Sequence, residues 1–267
     1  MPYNRILIAP LLCCFSSLLL AQTCDSLQVA GSGRWVPIAF SQTQNTTENG
    51  INAASKDESP KASGIAYDLS RYIAQQLNLP IKIDVKTPWA RSMRNLELGE
   101  IDMIAGAYFT EERNANFLMS QAFSQDTLSL YVKKGLAFPF HSLEDLIDKR
   151  VDVRRGSSNG QVFDEFARNR LNPLLLNTVD TYEQLFLRLD RFRTDYVILD
   201  TYTGNQVLKK LGLQGKIIPL DKPLVTNPIH YLISKRSPCS RHFEAIKKII
   251  NKAQENGVLE AIHQKYY

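Results

Sequence analysis

Short apolar runs alternate with amphipathic helical stripes along most of this chain, and that alternation leaves few folds open. Ile81, Ile83 and Val85 are interleaved with Lys82 and Asp84, the period-two pattern of a strand with one wet face. Residues 27–30, 101–105, 128–132, 151–153, 196–199 and 229–233 are further short runs of strand character. Between them lie helical stripes. Leu69, Tyr72, Ile73 and Leu77 share one face of a helix that Asn78 and Pro80 end. Thr87 and Pro88 read as an N-cap and first-turn pair for a helix running through Met93 and Leu96 to Gly99. Val162, Phe163 and Phe166 form a third stripe, and Leu185, Phe186 and Leu189 a fourth. Ser240 is expected to cap a helix bearing Phe243, Ile246, Ile249 and Ile250, and Ser142 with Asp145 resembles a capping box. Strands that alternate with longer helices imply an α/β fold with mainly parallel sheets, and the strand count suits two lobes better than one small sheet. The exception is the polar stretch 41–63, whose composition predicts a long surface loop.

The ends of the chain set its compartment. Arg5 precedes an almost wholly apolar run from Ile6 to Leu20, and Ala21 is a small residue suited to cleavage. Residues 1–21 therefore read as an export signal, too short for a permanent anchor, and the mature protein is expected in the periplasm. Cys13 and Cys14 would leave with the signal. Cys24 and Cys239 remain as an even pair in an oxidising compartment and are expected to be bridged; two separate buried thiols are the alternative. The net charge of +5 is spread along the chain rather than concentrated on one element, which excludes a nucleic-acid footprint. His141, His230, His242 and His263 show no ligand spacing, so neither metal nor cofactor is expected.

Several motifs stand in a fixed order. Pro88-Trp89, Leu96, Gly99, Ile101-Asp102, Gly106, Thr110-Glu111-Glu112-Arg113 and Phe123-Ser124 follow one another with a characteristic spacing. Trp35-Val36-Pro37 and Gly64-Ile65-Ala66-Tyr67-Asp68-Leu69 precede them. Leu143-Glu144-Asp145-Leu146, Val151-Asp152-Val153, Gly156-Ser157-Ser158 and the run from Asp195 to Asp200 follow. In this order the chain resembles the family 3 extracellular solute-binding proteins, over nearly all of its mature length. The resemblance implies a two-lobed periplasmic-binding-protein fold of type II, with lobe 1 built from residues 25–131 and 227–267 and lobe 2 from 132–226. It also implies a ligand cleft between lobes that close by hinge motion, a monomer, and a membrane permease of an ABC transporter as partner.

The resemblance assigns roles that elementary chemistry supports. A free amino acid presents a carboxylate and an ammonium. Arg113 stands where the family grips the carboxylate, a task that a planar guanidinium performs bidentately. Ser157 and Ser158, at a strand-to-helix turn, can add backbone N–H groups to that carboxylate. Asp200 stands where the family receives the ammonium, although an Asp there can also simply cap the next helix. Trp35 and Trp89 are candidate aromatic walls or core residues. Gly106 offers backbone only, and Thr110 sets the context of Arg113. Tyr108 replaces a small hydroxyl common in the family, and Ser32 replaces an acid that some members use for cationic side chains. Arg91 and Arg154 could face the cleft and favour an acidic side chain, but surface exposure is the default for both.

Rival readings have their own signatures. Gly156-Ser157-Ser158-Asn159-Gly160 fits a nucleophile-elbow pattern, with Asp200 and His230 following in the order a hydrolase needs, but the oxyanion segment is missing. A dehydratase on the same fold would need a placed general acid, which no motif supplies. A ligand-sensing partner of a receptor would keep the fold and the site. No catalytic extension or membrane segment is expected beyond Tyr267. The expectation is therefore a binding protein for a small amino-acid-like ligand and not an enzyme.

Overall fold

Period-two and helical spacing separate into thirteen strands and eight α-helices in the computed structural model, which describes residues 23–42 and 61–266. In chain order these are β1 (Leu27–Gly31), β2 (Arg34–Trp35), β3 (Ala39–Gln42), β4 (Lys61–Ser63), α1 (Ile65–Gln76), β5 (Ile81–Asp84), α2 (Trp89–Leu98), β6 (Met103–Tyr108), α3 (Glu111–Asn116), β7 (Leu118–Met119) and β8 (Ser124–Lys133). They continue as β9 (Val151–Arg154), α4 (Gln161–Arg170), β10 (Leu176–Val179), α5 (Tyr182–Asp190), β11 (Tyr196–Asp200), α6 (Thr201–Leu211), β12 (Ile217–Pro219), β13 (Val225–Ile233), α7 (Phe243–Glu255) and α8 (Val258–Gln264). The expected signal segment 1–21 lies outside the described residues.

The strands form a mixed sheet in the order β10-β9-β11-β8-β13-β6-β1-β5, with β12 added on β8 and β7 on β13. Its two wings are parallel: β5-β1-β6 on one side and β11-β9-β10 on the other. The long strands β8 and β13 join the wings and run antiparallel to each other. β8 pairs with β13 over Ser124 to Leu128, then passes to β11 over Leu128 to Tyr131. β13 leaves β8 at Ile229 and pairs with β6 from there to Ile233. Two strands thus carry the chain between the halves of an α/β, two-lobed periplasmic-binding-protein fold.

Both faces of each wing are covered, as parallel sheets require. Trp89 and Leu96 of α2 pack with Ile104 and Ala107 of β6 on one side of the first wing, and Ile65, Leu69 and Ile73 of α1 pack on the other. In the second wing, Leu185, Phe186 and Leu189 of α5 and Val207 and Leu208 of α6 cover the face of Tyr131, Val197 and Leu199, and Phe163 and Phe166 of α4 cover the face of Leu130 and Ile198. Cys24 and Cys239 are joined in a disulfide, both residues buried, which ties the segment before β1 to the turn before α7.

Some local expectations shift. The two ends of the polar stretch 41–63 are not loop: Ser41 and Gln42 of β3 pair antiparallel with Ala62 and Lys61 of β4. Each strand carries too few apolar residues for period-two reading to detect it. The middle of that stretch lies outside the described residues. The helix after Thr87 begins at Trp89 with Pro88 at its N-cap. Ser237, not Ser240, supplies a cap: it precedes Pro238 and accepts from Cys239 N–H in the 3₁₀ turn Pro238–His242 that leads into α7. Ser142 and Asp145 do form a capping box, but on a single 3₁₀ turn, Leu143–Leu146.

Candidate ligand-binding cavity

A strand delivers a side chain to the edge of a sheet only if the chain turns immediately after it, and three such places converge here. β6 ends at Tyr108 and is followed by α3, which carries Arg113. β9 ends at Arg154 and is followed by the turn holding Ser157 and Ser158. β11 ends at Asp200, whose side chain caps α6 by accepting from Thr203 N–H at 2.7 Å. Together with Trp35 and Trp89 they line a cavity whose empty space, open mouth included, is about 600 Å³.

The structure brings together eight of the nine candidate ligand residues. Trp35, Trp89, Gly106, Tyr108, Arg113, Ser157, Ser158 and Asp200 all line this cavity. Thr110 does not. It is buried at the N-cap of α3, where its hydroxyl accepts from Arg113 N–H at 3.1 Å and so fixes the start of the helix that presents Arg113. Gly106 lies mid-strand at φ +96°, and a Cβ there would meet Trp35 Cζ3 at 3.2 Å and Ile38 Cγ2 at 3.3 Å. Glycine is needed for both the conformation and the close approach of the Trp35 ring.

Arg113 is buried, donates from Nη1 to Tyr108 O at 2.9 Å, and has its guanidinium carbon 5.9 Å from the Trp89 ring centre. Burial pulls its pKa down, while Asp164 and Glu112 pull it back; a guanidinium stays charged in this setting. The Ser157 N–H donates to Arg154 O at 3.1 Å and is committed to the turn. Of the two backbone donors expected for the ligand, only that of Ser158 has no acceptor among the described residues. The Ser158 hydroxyl itself donates to Asp164.

Sequence reasoning missed Asp126, and for Arg154 it named the cleft as an alternative to the default of surface exposure. Asp126 Oδ2 accepts from Trp35 Nε1 at 2.8 Å and from Tyr108 OH at 2.7 Å, and the two rings meet edge to face with centroids 5.3 Å apart. It therefore holds two walls of the cavity. Register explains its relation to Asp200: Asp200 pairs with Leu128 across β11 and β8, and Asp126 lies two residues before Leu128 on the same face. Burial, and then the charge of Asp126, push the Asp200 carboxyl well above the usual carboxylate range. Burial raises Asp126 too, against the pull of its Tyr108 and Trp35 hydrogen bonds. The period-two alignment of Asp126 with the buried Leu128 and Leu130 was the available signal. Arg154 lines the cavity, half-buried, and donates from Nη1 to Tyr182 OH at 2.9 Å.

Contacts cross the cavity between the wings. Trp89 Nε1 donates to Gly156 O at 2.8 Å, Thr203 Oγ1 to Val36 O at 3.2 Å, and Arg34 pairs with Glu183 at 2.9 Å. The hydrolase constellation is not assembled. His230 lies outside the cavity with Nδ1 bonded to Ser120 O at 2.8 Å, and Ser158 faces Asp164 instead of a histidine. Among the described residues no cluster of His, Cys, Asp and Glu could hold a metal ion, and no helix is long and apolar enough to cross a membrane.

The profile of the bacterial extracellular solute-binding proteins, family 3, matches residues 28–267. The chain belongs to that family. Two relatives show how similar proteins differ in setting. The membrane-bound lytic murein transglycosylase F of Histophilus somni (strain 2336) is 23% identical over 207 residues, which are 77% of this chain and 42% of that protein. The chain thus spans less than half the length of that relative. The L-cystine-binding protein TcyJ of Escherichia coli (strain K12) is 20% identical over 212 residues, 78% of this chain and 75% of TcyJ. Among solved structures, a histidine kinase sensor domain with similarity to periplasmic binding proteins superposes with a TM-score of 0.74 at 17% identity, covering 90% of this chain and 95% of that one. Proteins similar to this chain thus include a binding protein, a sensor domain and an enzyme.

Proposed function

We propose that this family 3 protein captures an amino acid between its two lobes in the periplasm and hands it to the permease of an ABC transporter. The observation that carries the reading is the cavity's charge arrangement. Arg113 from one wing and Asp200 from the other line the same cavity, and neither has an ion-pair partner among the described residues. A shielded positive fork facing a shielded carboxylate is costly when empty and is answered by a zwitterion. The carboxylate of the amino acid lies on Arg113 and the Ser158 N–H, its ammonium on Asp200, and its side chain between Trp35, Tyr108 and Trp89. Residues 25–131 with 227–267 act as one lobe and 132–226 as the other, with β8 and β13 as the hinge. The protein acts as a monomer without catalysis after removal of residues 1–21. L-Cystine binding by TcyJ agrees with an amino-acid ligand here.

The test is a thermal-shift screen of amino acids followed by calorimetry. A ligand at about one hundred times its Kd stabilises by roughly 2.7 kcal/mol. Arg113→Ala abolishes that shift while the variant still melts cooperatively. A full response by the variant would place the binding site elsewhere.

A further inference from the structure

Arginines in this protein fall into two groups. Arg34, Arg71, Arg150, Arg155 and Arg188 are each paired with a carboxylate. Every other described arginine lacks such a partner among the described residues, and all of those are exposed except two: Arg113, which is buried, and Arg154, which is half-buried. Both of these line the same cavity.

Arg154 is the last residue of β9, next to Arg155, whose guanidinium turns outward to Asp180 at 2.8 Å. Adjacent strand residues point to opposite faces, so Arg154 is directed inward. Its guanidinium carbon lies 4.7 Å from the centre of the Tyr182 ring, and Nη1 donates to the phenol oxygen at 2.9 Å. Tyr182 opens α5, whose N-terminal turn is fixed by the Thr181–Gln184 capping box. The guanidinium is thus held in place by a neutral group, which leaves its charge and its remaining N–H donors for another anion.

Against these two cations the wall presents one carboxylate, Asp200, and behind Trp35 and Tyr108 a second, Asp126. The two acids are diagonal neighbours on one sheet face, and Asp126 is committed to its hydrogen bonds with Trp35 and Tyr108 rather than to the cavity. Of the charged groups that line the cavity itself, two are cationic, Arg113 and Arg154, and one is an acid, Asp200. No further acid among the described residues lines it: Ser32 is uncharged and accepts from Arg34 N–H at 3.1 Å. A ligand with a cationic side chain would meet Arg154 with nothing to receive it.

We propose that Arg154 determines specificity in this cavity and that the ligand is an amino acid with a second carboxylate on its side chain, of the aspartate or glutamate class. The proposal rests on the amino-acid-binding reading above. The α-carboxylate takes Arg113, the ammonium takes Asp200, and the side-chain carboxylate takes the free edge of Arg154. An isosteric amide keeps the shape but loses the charge-assisted hydrogen bonds, a difference of about tenfold to a hundredfold in affinity.

Isothermal calorimetry on the purified protein near neutral pH, with L-glutamate, L-aspartate, L-glutamine, L-asparagine, L-arginine and L-cystine, tests this. The expected result is that at least one acid binds about tenfold or more tightly than its amide. Arg154→Gln removes that ratio by weakening the acid about tenfold or more beyond any loss for the amide, and Arg154→Lys gives an intermediate ratio. Tighter binding of an amide, of arginine or of cystine in the wild type overturns the proposal, as does an unchanged acid-to-amide ratio in a folded Arg154→Gln protein. If Arg154→Gln fails to fold, the wild-type ratio decides alone. Failure of the amino-acid-binding reading looks different: no amino acid binds, or Arg113→Ala leaves all affinities intact.

Discussion

Replacing Asp126 with asparagine should stabilise the empty protein and weaken its ligand binding, two effects of opposite sign from one lost charge. The introduced carboxamide would keep an oxygen that accepts from both Trp35 Nε1 and Tyr108 OH, so the wall geometry survives. What changes is the repulsion with Asp200. The β8–β11 register makes the two acids a diagonal cross-strand pair, with a spacing of about 7 Å. Two unit charges at that distance and an effective dielectric constant of about 20 repel by roughly 2 kcal/mol. Loss of charge-assisted character in the Trp35 and Tyr108 hydrogen bonds returns about 1 kcal/mol, which leaves a net gain of about 1 kcal/mol, or some 2–4 °C in Tm.

The sign of the pH dependence follows from the raised pKa of both acids. The folded protein retains protons that the unfolded chain releases above about pH 3.9, so wild-type stability falls as pH rises through the window above that value. Urea titrations of ligand-free wild type and Asp126→Asn at about pH 4 and about pH 8 should converge at the lower pH and separate at the higher, with the variant more stable. With ligand present the effect has the opposite sign: the ammonium loses part of its attraction, and affinity falls about tenfold. A variant that is less stable than wild type at about pH 8, or equally displaced at both pH values, would refute the coupling of Asp126 to Asp200.

Two further outcomes follow from the geometry. Gly106→Ala forces a Cβ into the Trp35 ring at a positive φ and should cost about 1–3 kcal/mol in urea denaturation, with a shifted tryptophan emission. Reduction of Cys24–Cys239, which are separated by 215 residues, should lower stability by about 2–4 kcal/mol, read as a fall in Tm with dithiothreitol.

The parts of the site that match the family's motif order were legible in the sequence. Arg113 and Asp200 stand at positions the resemblance assigns to the ligand, and local spacing adds only that each sits near a helix start, Arg113 after the capping residue Thr110 and Asp200 at the N-cap of α6. For Asp126 the only signal was its period-two alignment with Leu128 and Leu130, which gives a face but not a role. Its importance comes from the register of β8 against β11 and from hydrogen bonds to Trp35 and Tyr108, distant in sequence by 91 and 18 residues. Arg154 and Arg155 are indistinguishable as neighbours in sequence. Only the strand pleat sends one to Tyr182 and the other to Asp180. The ends of the polar stretch 41–63 escaped notice because strands as short as β4, with Ala62 its single apolar residue, pair through backbone that composition does not reveal.

The most direct test of the central claim is a crystal structure of the protein with its preferred amino acid. The account predicts the α-carboxylate at about 3 Å from the Arg113 guanidinium and the ammonium on the Asp200 carboxylate, both inside the cavity walled by Trp35 and Trp89. A ligand bound outside that cavity, or inside it with neither Arg113 nor Asp200 in contact, would contradict it.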